Sequence, residues 1–311
     1  MGKKKNFQKS HNQATLDKLS GNERHGLVVA HFGASVEIED EQGALFRCNL
    51  RKNAEPIMTG DCILWQFEQE NTGIVVGLLP RRSLLQRPLN AYKTKLIAAN
   101  IDTIVIVMSP APLFSAYLLD SYLVAAENLK IRPIILLNKT DLLKEDELLA
   151  LADFLSLYQK IGYTVVFSST YIKTGLNPLK EVLKNNTGVL VGPSGVGKSS
   201  IIAALTDVKI MINAESRSGM GRHTTTTSRL YHLPDAGSLI DSPGVREFSL
   251  WHLGEEEVLQ GFLDLFSFST DCEFRNCRHQ PGERGCALQQ AILDQKISPT
   301  RFASYQAILK K

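Results

Sequence analysis

The most specific chemical signal in the chain is a glycine-rich stretch, G-P-S-G-V-G-K-S-S, that follows the apolar run V-L-V. Glycines let consecutive backbone N–H groups face a bound phosphate, and the spacing G-x4-G-K-S is that of a phosphate-binding loop. We expect its lysine to reach the β- and γ-phosphates and the next serine to bind Mg²⁺, at the start of a helix whose dipole favours the same anion. The predicted phosphate-binding residues are Gly192, Pro193, Ser194, Gly195, Val196, Gly197, Lys198, Ser199 and Ser200.

The tetrapeptide N-K-T-D indicates which base is bound. An aspartate carboxylate only accepts hydrogen bonds, and guanine presents two adjacent donors, N1–H and the 2-amino group, whereas adenine presents no such pair. The tetrapeptide follows the apolar run I-I-L-L, which predicts a position at the carboxyl end of a strand, where open α/β sheets bind ligands. The residues Ser168-Ser169-Thr170, which follow the run T-V-V-F, are expected to contact the guanine O6 through backbone N–H groups. The predicted guanine-binding residues are Asn138, Lys139, Thr140, Asp141, Ser168 and Ser169.

A third motif, D-S-P-G, predicts contacts to Mg²⁺ and to the γ-phosphate. Asp40 begins an equally good match, but Asp241 is favoured because it ends an apolar run about forty residues after Lys198, as the phosphate site requires. We expect Asp241 to hold Mg²⁺ through water and the Gly244 N–H to contact the γ-phosphate. Because Gly244 and Lys198 both contact the transferred group, they are counted with the catalytic residues.

The polar run G-R-H-T-T-T-T, residues 221–227, lies between these two motifs and predicts a switch loop. One hydroxyl of Thr224–Thr227 is expected to complete the Mg²⁺ shell; Thr225 is one candidate, and the sequence does not choose among the four. The residue after D-S-P-G is Val245, where Ras-like GTPases have the glutamine that orients the attacking water. Valine cannot hydrogen-bond water, so we expect His223 to position it.

Near the end of the chain, four metal-ligating side chains fall within fifteen residues in the spacing C-x4-C-x-H-x6-C. Three thiolates and one imidazole complete a tetrahedral shell, the composition of a structural zinc site without an open position. A metal is expected rather than a disulfide because the first residues, M-G-K-K-K-N-F-Q-K, contain no apolar segment of a secretory signal; the same observation predicts a cytoplasmic protein. The predicted zinc ligands are Cys272, Cys277, His279 and Cys286.

The elements that must position these motifs divide the chain into four segments. Residues 1–25 form a basic tail suited to a phosphate backbone. Residues 26–85 contain five short strand-like runs that predict an RNA-binding barrel of the oligonucleotide-binding (OB) type, with an SH3-like barrel as the alternative. Residues 86–247 alternate strands and helices, which predicts a six-stranded α/β domain, and residues 248–311 predict helices around the metal ligands.

Three finer expectations concern the connections and the remaining cysteines. Arg81-Arg82 and Arg87-Pro88 are interpreted as a linker, and a single helix is predicted over Glu255–Phe266. Cys48 and Cys62 lie in strand-like runs and are interpreted as small buried apolar side chains. No apolar run approaches the roughly 18 residues that cross a bilayer, so no membrane association is expected.

The order of the motifs indicates a circular permutation. In Ras-like GTPases the phosphate loop comes first and N-K-x-D last, whereas here Asn138 precedes Gly192. With the OB-like barrel and the motifs N-K-T-D, G-P-S-G-V-G-K-S, G-R-H-T-T-T, D-S-P-G and C-x4-C-x-H-x6-C, the chain resembles the RsgA family, the small-subunit-dependent GTPases of bacterial ribosomes. The resemblance implies GTP hydrolysis stimulated by the small ribosomal subunit, contact with its rRNA and a role in its late maturation. It also favours His223 for positioning water, and we expect a monomer.

Two other functional classes remain open from the residues alone. The first is a nucleotide-dependent binding switch in which hydrolysis matters little, an interpretation that Val245 favours. The second is an ATP-driven enzyme that remodels nucleic acid, which Asn138–Asp141 argue against because their acceptor chemistry matches guanine.

Overall fold

The computed structural model describes residues 22–51, 55–69, 71–90, 93–111, 114–206, 228–234, 237–242, 250, 252–280 and 282–310. The strands within these residues are β1 (Arg24–His31), β2 (Ser35–Asp40), β3 (Leu45–Asn49), β4 (Cys62–Gln69), β5 (Thr72–Leu78), β6 (Leu84–Asn90), β7 (Lys93–Ala99), β8 (Thr103–Met108), β9 (Arg132–Leu137), β10 (Thr164–Phe167), β11 (Thr187–Val191), β12 (Arg229–His232) and β13 (Ser238–Asp241). The helices are α1 (Ala116–Leu129), α2 (Glu145–Ile161), α3 (Asn177–Leu183), α4 (Lys198–Thr206), α5 (Glu255–Gln260), α6 (Leu263–Ser269), α7 (Ala287–Leu293) and α8 (Pro299–Leu309).

Strands β1 to β5 form a closed barrel. Their order is β1-β2-β3-β5-β4, and β4 pairs with β1 to complete the ring. Strand β3 pairs with β5 in parallel while the other pairs are antiparallel, which gives the Greek-key connection of an OB-like barrel. Val28, Ile38 and Trp65 are fully buried at its centre. The predicted OB-like barrel is confirmed.

Strands β8 to β13 form the sheet of an α/β domain in the order β10-β9-β8-β11-β13-β12. All pairs are parallel except β12 with β13. Strand β8 is buried on both faces: Ile104 and Ile106 pack in one core with α1 and α2, and Val105 and Val107 pack in the other with α3 and α4. This two-layer covering is typical of a parallel sheet and confirms the predicted α/β domain.

Helices α5 to α8 pack around a third apolar core that includes Val124 of helix α1. The single helix predicted over Glu255–Phe266 is wrong, because α5 ends at Gln260 and α6 begins at Leu263. Between the two helices Phe262 is fully buried and its ring centroid lies 5.7 Å from that of Tyr305. Burying this ring requires the chain to turn, which ends the first helix.

The structure corrects two further expectations. The interval interpreted as a linker contains the hairpin β6–β7, whose Leu85 and Ile97 are buried in the core of the α/β domain. Cys62 is exposed, because Ile63 and Trp65 point into the barrel and the residue before Ile63 points to the opposite face. Cys48 is buried as expected. Among the described helices none is long and apolar enough to cross a membrane.

Candidate nucleotide and metal sites

The phosphate loop follows β11 and ends where helix α4 begins at Lys198. Gly197 has a φ of +97°, and a Cβ atom added to it would lie 2.4 Å from Asn138 Nδ2. A side chain here would therefore displace the asparagine of the predicted guanine motif. The glycine is required by the packing of the two motifs against each other as well as by the backbone conformation.

Asn138 joins the three predicted nucleotide-binding segments. Its side chain is buried, its Nδ2 donates to the Val196 carbonyl at 2.9 Å, and its Oδ1 accepts from the Ser168 hydroxyl at 3.2 Å. Backbone and side chain of Thr140 both donate to the Ser168 carbonyl, at 3.2 and 3.1 Å. The loops after β9, β10 and β11 are thus held together by hydrogen bonds from one side of the sheet.

Lys139 connects a fourth loop that the sequence reasoning missed. Its backbone is left-handed, with a φ of +61°, and its Nζ donates to the carbonyls of Gly195 at 2.6 Å and Ala111 at 2.9 Å. Ala111 lies in the loop after β8. The sequence signal for this loop was the apolar run T-I-V-I-V-M followed by S-P-A. That pattern places the loop after β8 at the carboxyl edge of the sheet, where ligands bind.

Asp141 is held from one side by a serine. The Ser169 hydroxyl donates to Asp141 Oδ1, and the Tyr171 N–H donates to Ser169 Oγ at 3.1 Å. The backbone N–H groups of Ser168 and Ser169, which the sequence suggested for guanine O6, donate instead to Leu137 O at 2.8 Å and Gly175 O at 3.4 Å. In this structure the two serines therefore act through their side chains, orienting the asparagine and the aspartate.

Lys198 lies inside the phosphate loop. Its Nζ donates to the carbonyls of Gly192 at 2.7 Å and Pro193 at 2.6 Å, so the ammonium group is placed where loop N–H groups would surround a phosphate. Asp241 ends strand β13, which pairs in parallel with β11, and therefore reaches the same edge of the sheet. The predicted residues His223, Thr225 and Gly244, with Val245, lie outside the described residues.

The four predicted metal ligands are brought together. One ligand atom from each of Cys272, Cys277, His279 and Cys286 lies within 4.8 Å of the others. The three sulfur atoms lie 3.6, 3.4 and 3.6 Å from His279 Nδ1. Metal–ligand bonds of a tetrahedral zinc site imply a sulfur-to-nitrogen edge of about 3.6 Å. The donor set and its dimensions therefore fit this ion.

The surroundings of the cluster suit metal ligation. Burial lowers the pKa of His279, which favours the neutral imidazole that a metal requires. Burial and the two neighbouring sulfurs raise the pKa of the Cys277 thiol to about 12, so a cation is needed to hold thiolates there at neutral pH. The Glu283 carboxylate accepts the N–H groups of Arg278 and Gln280, fixing the loop around the ligands.

The barrel presents two exposed aromatic rings, each covered by an arginine. The Arg47 guanidinium lies 3.9 Å from the ring centroid of Phe32, and that of Arg24 lies 4.7 Å from Phe67. Phe32 follows β1 and Phe67 belongs to β4, close to the β4–β5 turn. These are the loop regions by which OB folds bind oligonucleotides.

A sequence profile described as RsgA GTPase matches residues 78–251. The chain belongs to the RsgA GTPase family. It is 46% identical over 295 residues to the small ribosomal subunit biogenesis GTPase RsgA of Ectopseudomonas mendocina and 45% identical to that of Azotobacter vinelandii; each alignment covers 93% of this chain and 86% of the relative. RsgA family membership makes the chain a GTP hydrolase that binds guanine nucleotide.

Solved structures support the same architecture. The chain superposes on the crystal structure of YjeQ from Thermotoga maritima with a TM-score of 0.74 and 29% identity, covering 93% of this chain and 98% of that one. It superposes on YloQ, described as a circularly permuted GTPase, with a TM-score of 0.73 and 25% identity over 94% and 96% of the two chains. The predicted circular permutation is confirmed.

Proposed function

We propose that this GTPase acts on the small ribosomal subunit during its late maturation and hydrolyses GTP to GDP and phosphate there. The relatives whose alignments cover 93% of this chain are named for biogenesis of that subunit. The structural observation that supports GTP binding is the hydrogen bond of 2.9 Å from Asn138 Nδ2 to the Val196 carbonyl, which links the guanine motif to the phosphate loop. The proposal also places this GTPase in the cytoplasm as a monomer.

The nucleotide is held by the residues assembled at the carboxyl edge of the sheet. Asp141 accepts the two guanine donors, and Ser169 fixes the orientation of its carboxylate. Lys198 leaves the loop carbonyls to pair with the β- and γ-phosphates. Ser199 and Asp241 would hold Mg²⁺, which would supply positive charge to neutralise the charge that develops on the phosphates.

Positioning of the attacking water is assigned to His223, because the side chain of Val245 cannot hydrogen-bond to water. The Gly244 N–H would contact the γ-phosphate, and a hydroxyl such as that of Thr225 would serve as a ligand to Mg²⁺. Because the His223 imidazole is proposed to act in the transition state and to contribute little to ground-state binding, replacing it should lower kcat more than it changes KM.

One structural Zn²⁺ is bound by Cys272, Cys277, His279 and Cys286. The sulfur-to-nitrogen distances of 3.4 to 3.6 Å support this assignment, as does the absence of an open ligand position in a three-thiolate, one-imidazole set. Such an ion would stabilise the loop between helices α6 and α7, and its closed ligand set would give it no part in hydrolysis.

The barrel contacts ribosomal RNA. Phe32 and Phe67 offer stacking faces to unpaired bases, and the arginines over them supply charge for the phosphate backbone. Residues 1–25 add four lysines before the first acidic residue, which strengthens attraction to RNA at low salt.

The decisive experiment measures GTP turnover by the purified protein with and without purified small ribosomal subunits. We expect the subunits to raise kcat by about 10²-fold or more, since they supply or order the group that positions water. Turnover that stays at the intrinsic rate while GTP still promotes binding to the subunit would instead support a nucleotide-dependent binding switch, the function that Val245 favours. Competition of ATP against GTP excludes or supports an ATP-driven enzyme.

A further inference from the structure

Strand β12 connects the barrel directly to the GTPase domain. Ala30 of β1 pairs with Arg229 of β12 in an antiparallel bridge, and the Arg229 guanidinium lies 2.7 Å from the Glu37 carboxylate of β2. Arg229 comes one residue after Ser228, the first residue beyond the predicted switch run 221–227. The barrel is therefore bonded to the chain at the point where the predicted switch loop ends.

Ser228 is the junction of three hydrogen bonds. Its carbonyl accepts from the Thr59 hydroxyl at 3.1 Å and from the His31 N–H at 3.4 Å, both in the barrel segment. Its own hydroxyl donates to Ser242 Oγ at 2.8 Å. Ser242 is buried and immediately follows Asp241 in the D-S-P-G motif. A path through the Ser228 carbonyl and hydroxyl thus leads from the barrel to the motif that is predicted to face Mg²⁺ and the γ-phosphate.

The barrel end of this path is rigid. Thr59 is fully buried and its carbonyl accepts the Ala99 N–H at 3.0 Å. The next residue, Gly60, has a φ of +91°, and a Cβ atom there would lie 2.2 Å from the Ala99 carbonyl oxygen. Asp61, also fully buried, accepts two hydrogen bonds of 2.7 Å from the Arg81 guanidinium. Because Ala99 belongs to hairpin β6–β7 and the Gly60 N–H also donates to the Val28 carbonyl of β1 at 2.8 Å, the Thr59 hydroxyl has a fixed position relative to both the barrel and that hairpin.

We propose that Thr59, Ser228 and Ser242 form a chain of hydrogen bonds, here called the clasp, that positions Asp241 and transmits the state of the barrel to the GTP site. Displacing β12 against the barrel acts on β13 through their backbone ladder, in which Arg229 pairs with Asp241, and on Ser242 through the Ser228 hydroxyl. Ser242 is covalently joined to Asp241. Binding of the subunit to the barrel then changes the arrangement of the γ-phosphate site, and a coupling that acts on kcat need not appear in either binding affinity. The inference rests on the proposed function, because it specifies how the subunit controls hydrolysis.

The test begins with Thr59→Val, which keeps the shape of the side chain and removes its donor. We expect subunit-stimulated kcat to fall by about 2- to 30-fold, the range of substitutions along a coupling path, with the KM for GTP and the affinity for the subunit unchanged. Thr59→Ser restores the hydroxyl and should restore kcat. Thr103→Val on β8 is the matched control and should leave kcat unchanged, because Thr103 is fully buried and its hydroxyl has no hydrogen-bond partner among the described residues.

Ser242→Ala and the double variant complete the test. If the clasp acts as one unit, Thr59→Val combined with Ser242→Ala turns over no more slowly than the slower single variant. Multiplied losses, or two single variants with parental stimulated kcat, would overturn the clasp while leaving the proposed function intact. Parental protein that subunits do not stimulate would overturn the proposed function and the clasp with it. Thermal melting checks folding, and Ser242→Ala, in the other domain, decides the question if Thr59→Val does not fold.

Discussion

At the scale of single residues, the nucleotide site depends on side chains that bind other parts of the protein. The Asn138 side chain makes these hydrogen bonds within the protein: it donates to the Val196 carbonyl and accepts from the Ser168 hydroxyl. Gly197 is confined by that same asparagine. Buried polar groups of this kind lose their partners together, so a substitution at one of them disturbs both the base site and the phosphate site.

Asp141→Asn tests the guanine assignment. The substitution replaces an acceptor with a donor opposite the guanine N1–H and 2-amino groups, so we expect GTP affinity to fall by on the order of 10²-fold or more. Binding of a fluorescent GTP analogue measures the loss. The control is Asp146→Asn, an exposed aspartate near the start of helix α2, which should bind normally. Unchanged affinity in Asp141→Asn would refute the assignment.

His223→Ala tests the proposed water-positioning role. Groups that position or deprotonate water contribute about 10²–10⁴-fold, so subunit-stimulated kcat should fall by that order while GTP affinity barely changes. Lys198→Ala should instead lose nucleotide binding as well, since its ammonium group lies in the phosphate loop. Subunit binding is measured in parallel, with His25→Ala on β1 as the control. A His223→Ala protein that binds the subunit and turns over at the parental rate would show that another group holds the water.

At the scale of elements, the sequence predicted those whose ends carry strong signals. The five strand-like runs predicted within residues 26–85 correspond to strands β1 to β5, and the helix predicted after the phosphate loop begins at Lys198. The hairpin β6–β7 was missed because arginines and Pro88 suggested a loop, while the burial of Leu85 and Ile97 depends on contacts distant in sequence. Local propensity cannot encode such packing, and the division of α5 from α6 has the same cause in the burial of Phe262.

The loop between helices α6 and α7, which carries the predicted metal ligands, is the element whose stability is expected to depend most on a bound ion. We expect one Zn²⁺ per chain by metal analysis of protein purified without chelator. Cys277→Ser should lose the ion and unfold the helices around the loop, because metal binding and folding of such loops are coupled, while GTP binding persists. Cys62→Ser, which changes an exposed cysteine of the barrel, is the matched control and should keep its zinc. Substantially less than one zinc in the parental protein would contradict the assignment.

At the scale of the whole molecule, hydrogen bonds and ion pairs hold the GTPase domain between its two neighbours. On one side β12 pairs with strand β1 of the barrel. On the other, Arg301 of helix α8 is fully buried and forms ion pairs with Asp120 of α1 and Asp264 of α6. The Tyr158 hydroxyl of α2 donates to the same Asp120 at 2.9 Å. The nucleotide domain thus shares one buried polar network with the C-terminal domain that carries the predicted metal ligands.

Arg301→Met tests whether this network docks the two domains. The substitution leaves the Asp120 carboxylate without its cation in an apolar interior, which costs about 3–5 kcal/mol. We expect an earlier unfolding transition of the C-terminal helices in urea, separate from that of the GTPase domain. Zinc content should remain that of the parental protein, because the four ligands lie outside the network, and this result distinguishes lost docking from the lost metal of Cys277→Ser. Arg275→Met, an exposed arginine of the same domain, should unfold like the parental protein. If Arg301→Met also unfolds in a single transition at the parental urea concentration, the domains are held together by their apolar contacts, and the buried ion pairs contribute little.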